Sequence, residues 1–209
     1  MTAAEPHPPA EFWLVRHGQT DWNVQRRYQG HTDIPLNALG RAQALELAEG
    51  INGSQIAAIY SSDLSRALET AGILAQHTQS PVTPDRRLRE IAMGHWEGRT
   101  LAEVSQGLPE GSTGLAYTEA HTRAPGGESL TEVAERVRSF ADEIAERHAG
   151  QIVLVVTHGL SLAALRCLAV GLPLAEAIDL VPDNCSIVRI FWPHPLVSDT
   201  PFSDPKNCP

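Results

Sequence analysis

Ile152-Val153-Leu154-Val155-Val156-Thr157-His158-Gly159 is the stretch that decides the fold. Five successive β-branched or leucine residues, with no polar alternation, predict a central strand over 152–156 buried on both faces, the pattern of parallel sheets covered by helices. The polar residues that end it predict a chain emerging at the sheet's C-terminal edge, where open α/β sheets bind ligands. A second stretch has the same form. A strand over 12–16 runs into Arg16, His17 and Gly18, and the glycine permits a sharp turn and a close ligand approach. A third strand, over 56–60, meets Ser61-Ser62-Asp63 and then a helix with Arg66 in its first turn.

The rest of the chain alternates in the same way. Asn37 is placed to cap a helix carrying Leu39, Ala42, Leu45 and Ala48 and ended by Gly50. Ser61-Ser62-Asp63 reads as a capping cluster for a helix with Leu64, Leu68, Ala71 and Ala75 on one face. Residues 82–83 suggest a short strand. Ser129 and Glu132 form a capping box before a helix with Val133, Val137, Phe140 and Ile144 at helical spacing. A helix over 160–170 and a strand over 186–191 complete the series. Such alternation predicts a three-layer α/β/α sandwich with a mostly parallel central sheet. The expected organisation is a flexible leader over 1–10, one catalytic domain over 11–192, and a Pro-rich tail over 193–209. Within the domain, the irregular residues 92–127 are expected to form a lid or specificity insert.

Bulk properties narrow the function. The 209 residues are 42% apolar and carry 16 basic against 25 acidic side chains, a net charge of −9. One domain is the default at this length. Without a Lys/Arg run and with few lysines, neither nucleic acid nor an anionic membrane is an expected partner. No apolar run reaches the length of a membrane span, and residues 1–10 lack the basic and apolar regions of a signal peptide. Three scattered cysteines, Cys167, Cys185 and Cys208, offer neither a disulfide frame nor a zinc site. A cytoplasmic location is expected, and a homodimer is left open by the sequence.

The chemistry gathers at the strand ends. Arg16-His17, Arg66 and His158 each follow a predicted parallel strand, so they can converge although distant in sequence. Arginine binds phosphate oxygens bidentately, and a neutral histidine can attack phosphorus. Leu88-Arg89-Glu90, followed by Gly94-His95-Trp96-Glu97-Gly98, supplies a carboxyl group. Taken singly, each has an ordinary structural use: a solvated strand end, a surface helix arginine, a core histidine, a surface acid. Three strand ends carrying phosphate-type ligands together make that use improbable. Metal-ligand spacing is absent, so no metal or other cofactor is expected.

Arg16-His17-Gly18 with Asn23, the run 28–36 (Tyr-Gln-Gly-His-Thr-Asp-Ile-Pro-Leu), the run 62–71, Leu88-Arg89-Glu90 with Trp96-Glu97-Gly98, Gly126-Gly127-Glu128-Ser129, and Thr157-His158-Gly159 together resemble the histidine phosphatase superfamily, the phosphoglycerate mutase-like family. The resemblance covers residues 12–192, with every block in the family's order. It implies His17 as the nucleophile that becomes phosphohistidine. It implies a phosphate pocket of Arg16, Arg66 and His158, with Asn23 as a further donor. Glu90 is implied as general acid and then base. Gln29 and Gly30 match the substrate-contact loop, and Gly159 is expected among the substrate-binding residues. Family mutases carry a long insert with cationic motifs between the Trp-Glu-Gly and Gly-Glu-Ser blocks. Here that segment, 99–126, holds no lysine and only Arg99 and Arg123. The expectation is therefore a phosphatase for a small phosphorylated metabolite. A cofactor-dependent phosphoglycerate mutase is the alternative, and a catalytically weak regulatory protein on the same fold is a further one. Arg26 and Arg27 lie where they could meet a second anionic group of the substrate.

Overall fold

Alternating side chains along two neighbouring strands build both halves of the core. In β1 (Ala10–Arg16), Phe12 and Leu14 face one way and Trp13 and Val15 the other. In β4 (Ile152–Thr157), Val153 and Val155 join the first pair, and Leu154 and Val156 the second. All of these side chains are buried. The two strands are parallel, with Glu11 opposite Ile152 and Arg16 opposite Thr157. Their chemical ends therefore stop at the same level, and His17 N–H donates to the Thr157 carbonyl at 3.0 Å.

The computed structural model describes residues 8–106 and 120–193. Residues 107–119 of the predicted insert, most of the leader, the tail beyond 193 and Cys208 lie outside the described residues. The remaining elements, in chain order, are α1 (Asp21–Val24), α2 (Ala38–Gly50), β2 (Ile56–Ser61), α3 (Ser65–Thr78), β3 (Val82–Pro84), α4 (Leu101–Ser105), α5 (Leu130–Arg147), α6 (Gly159–Val170) and β5 (Ile187–Trp192). Sheet order is β3-β2-β4-β1-β5. β4, the strand predicted to be central, does lie in the middle. β5 alone is antiparallel, so the fold is the expected mostly parallel α/β architecture. Helices α5 and α6 cover the Phe12 face, and α2 and α3 the Trp13 face. Among the described residues no helix is long and apolar enough to cross a membrane.

Several local expectations need correction. β1 begins at Ala10, whose side chain is fully buried, so the expected leader already enters the sheet there. Asn37 caps α2 as expected, its side chain accepting from Gly40 N–H. The buried face of α2, however, is Gly40, Ala44 and Ala48, while Leu39 and Leu45 are about half exposed. The cause is close packing. A side chain at Gly40 would collide with the Gln19 backbone, and one at Gly18 with the Gly40 backbone. In α3 the buried positions are Arg66, Ala67, Thr70, Ala71 and Leu74. The capping box at Ser129 and the buried stripe Val133, Val137, Phe140 and Ile144 of α5 match the sequence reading.

Candidate active site

His17 directly follows β1, with its imidazole buried. Its Nδ1 lies 2.7 Å from the Gly18 carbonyl. A carbonyl only accepts, so Nδ1 carries the proton and Nε2 keeps its lone pair. Burial, reinforced by Arg66 and then Arg16, holds the ring well below the ordinary histidine pKa. Both arginines lower it, but desolvation is the larger cause.

His158 N-terminally flanks α6, at the end of β4, and meets the His17 ring edge-on with centroids 5.0 Å apart. Arg66 Nε–H donates to His158 Nδ1 at 3.2 Å, which leaves the proton on Nε2, 2.8 Å from Ser62 Oγ. This ring is also neutral, its pKa lowered by burial and by Arg66. Arg66 is completely buried at the start of α3 and gives two further donors to the Thr32 and Gly30 carbonyls, at 2.9 and 2.8 Å. Burial pushes its pKa down to about 10, so it stays charged at neutral pH. Arg16 donates Nη1 to the Pro182 carbonyl at 2.7 Å. Its Nε is buried with no partner among the described residues. A buried cationic donor left in this state favours an anion nearby.

Glu90 stands opposite. One carboxylate oxygen accepts from Ile91 N–H at 2.9 Å, and the other from Leu160 N–H, in the first turn of α6, at 3.3 Å. The segment that carries it, 88–90, has each carbonyl held by a side chain. Thr157 Oγ1 donates to Leu88 O, Ser161 Oγ to Arg89 O, and His31 Nε2 and Arg136 Nη2 both donate to Glu90 O.

Arg16, His17, Asn23, Gln29, Gly30, Arg66 and Glu90 line one pocket of about 170 Å³, together with Arg27, Tyr28, Met93 and Leu160. Three arginines against one carboxylate make this wall cationic within an acidic chain. Asn23 accepts from Thr20 through Oδ1, which leaves its amide NH₂ as a donor. Gln29 Oε1 accepts from the Thr20 hydroxyl. Gly30 has a φ of +51°, and a side chain there would strike the Glu97 carboxylate and the Met93 backbone. His158 and Gly159 are not on the pocket wall. His158 backs His17, and Gly159 is a spacer, since an added Cβ would lie 2.9 Å from Val181 and within 4 Å of both Glu90 and Arg16. Of the two arginines singled out beside Asn23, Arg27 reaches the wall and Arg26 does not. Arg27 also braces that wall by donating to the Gly98 carbonyl. Among the described residues no group of three or more His, Cys, Asp or Glu side chains could hold a metal ion.

Four residues contribute contacts that the sequence reading did not assign. Ser62 and Asp63 looked like a cap, yet Ser62 orients His158 and Asp63 forms a bidentate pair with Arg89 at 2.6 and 2.7 Å. Glu97 accepts from His31 N–H and Thr32 N–H and so holds the loop that meets Arg66. Asn184 donates to the His17 carbonyl at 2.8 Å from the loop before β5. The arrangement as a whole can do one thing well. It sets a neutral imidazole with an available lone pair beside two guanidiniums and opposite a carboxyl group, as phosphoryl transfer requires.

Comparison with known proteins identifies the family and the fold. A family model described as histidine phosphatase superfamily (branch 1) matches residues 12–195. A probable phosphoglycerate mutase of Salmonella choleraesuis is 39% identical over 180 residues, covering 86% of this chain and 84% of that protein. The solved structure of a mycobacterial glucosyl-3-phosphoglycerate phosphatase with VO3 is similar at 39% identity and a TM-score of 0.78, over 86% of this chain and 90% of that one. A putative alpha-ribazole-5'-P phosphatase from Escherichia coli is similar at 29% identity and a TM-score of 0.78, over 87% of this chain and 90% of that one.

Proposed function

Because this chain belongs to the histidine phosphatase superfamily, we propose that it is a metal-independent phosphomonoesterase acting on a small phosphorylated metabolite. The observation that carries the reading is the His17 tautomer. With Nδ1–H committed to the Gly18 carbonyl, Nε2 is the nucleophile. Its lone pair attacks phosphorus, the phosphorus–oxygen bond to the alcohol breaks, and Glu90 gives its proton to the departing oxygen. Glu90 then takes a proton from water, whose oxygen attacks the phosphohistidine and releases phosphate. Arg16 and Arg66 neutralise the equatorial oxygens, work that Mg²⁺ performs in other phosphotransferases. Asn23 donates to the same group, and Gln29 and Gly30 bound the space for the alcohol.

Hydrolysis is favoured over mutase chemistry because, beyond Arg16 and Arg66, only Arg27 among the described residues adds a cation to the pocket wall, and it is bonded to the Gly98 carbonyl and paired with Glu103. A mutase has to retain a bisphosphorylated intermediate. Neither Arg99 nor Arg123 lines the pocket, and Arg123 is paired with Glu132 at 3.2 Å. The names of similar proteins point both ways, so the test includes both reactions. Wild type should release phosphate from p-nitrophenyl phosphate in the presence of EDTA, and His17→Ala should lose at least about a hundredfold in kcat/KM. Equal activity of the two would end the nucleophile assignment. With 3-phosphoglycerate, free phosphate should appear faster than 2-phosphoglycerate, and the reverse order would establish a mutase.

A further inference from the structure

We propose that Gly30-His31-Thr32-Asp33 is a strap that ties the phosphate clamp to the proton donor, with His31 as the positioning residue for Glu90. The inference rests on the reading of Glu90 as general acid. Each strap residue is attached to the site. The Gly30 and Thr32 carbonyls accept from Arg66 at 2.8 and 2.9 Å. His31 Nε2 donates to the Glu90 carbonyl at 2.8 Å. Asp33 Oδ1 accepts from Ser65 N–H at 2.7 Å, at the start of the helix that carries Arg66. The strap is itself held from behind, because the Glu97 carboxylate accepts from His31 N–H, Thr32 N–H and Met93 N–H.

Glu90 lies outside regular secondary structure, so side chains must fix its backbone. Arg136 also donates to the Glu90 carbonyl, at 3.0 Å, but its other donors go to Arg87 O and Glu128. Arg136 therefore fixes Glu90 relative to α5. His31 fixes it relative to Arg66, and through Arg66 to the phosphorus atom. The distance from the acid to the departing oxygen is the quantity His31 sets. Displacement of a general acid by a fraction of an ångström weakens proton transfer. It matters most where the departing oxygen is strongly basic and least where the alcohol is acidic.

The test is leaving-group dependence. kcat/KM, which reports the first phosphoryl transfer, is measured on p-nitrophenyl phosphate and on glycerol 3-phosphate. His31→Leu should lower the ratio of glycerol 3-phosphate to p-nitrophenyl phosphate activity by about tenfold. His31→Gln, whose amide can donate to the same carbonyl, should restore most of that ratio. Glu90→Gln should lower the ratio further and serves as the reference. An unchanged ratio in His31→Leu, or a His31→Gln variant no better than His31→Leu, overturns the role of His31. An unchanged ratio in Glu90→Gln overturns the general acid itself. Loss of folding in His31→Leu would leave His31→Gln and Glu90→Gln to decide, with a wild-type ratio in the first and a lowered one in the second expected.

Discussion

His158 owes its tautomer to two neighbours of unequal visibility. Arg66, which occupies Nδ1, stands in a recognisable block of sequence. Ser62, which accepts from Nε2–H at 2.8 Å, opens the same block but discloses no such role, because a serine before a helix has an equally good local use as a cap. Ser62→Ala should leave a buried N–H without a partner and lower stability by about 1–3 kcal/mol. Urea unfolding would measure this, with kcat/KM expected to fall alongside as His158 loses its orientation behind His17. The same contrast explains what the sequence disclosed. The convergence of Arg16, His17, Arg66 and His158 was legible because their residue types suit phosphate and because predicted strands lead into them, while Glu90 was marked by the family resemblance. Glu97, Asn184 and Ser62 act across long separations in sequence, and although Glu97 and Ser62 lie in blocks resembling the family, nothing local discloses their partners.

Elements tell a similar story. α3 has Leu64 at its N-cap, with no capping side chain of its own. Its first turn borrows Asp33 from the strap. Asp33→Ala should therefore behave as a cap deletion, costing about 1 kcal/mol, and circular dichroism melts against wild type would read it out. A shift no larger than experimental error would mean that water replaces the carboxylate there without loss. The face of α2 was misread for a related reason. Counting apolar residues favours Leu39 and Leu45, but the backbones of Gly18 and Gly40 approach too closely for any side chain between them. The small positions, not the large ones, mark that contact. Where a helix packs by side-chain volume, as α5 does with Val133, Val137, Phe140 and Ile144, periodicity alone located the buried stripe.

At the scale of the molecule, two buried neutral histidines link folding to pH. Both rings have native pKa values well below the ordinary 6.5. Between those values and 6.5 the unfolded chain binds protons that the folded chain does not. Stability is therefore complete above about pH 6.5 and falls as pH drops through that window. The limiting slope is about 1.4 kcal/mol per pH unit for each ring. Urea midpoints measured from pH 7.5 to 5 should decline toward acid, and Ser62→Ala should decline from a lower starting value. A flat profile would mean that the rings titrate normally in the native state. The order of the strands has a consequence of another kind, for biosynthesis. β1 emerges first, yet its neighbours are β4 and β5, and Arg16 and His17 are held by Pro182, Asn184 and Cys185 N–H. A ribosome-tethered chain exposed only as far as residue 150 possesses the proposed nucleophile His17 but neither of the strands that flank β1. The proposed site is thus completed only once β5 has been made and docks on β1.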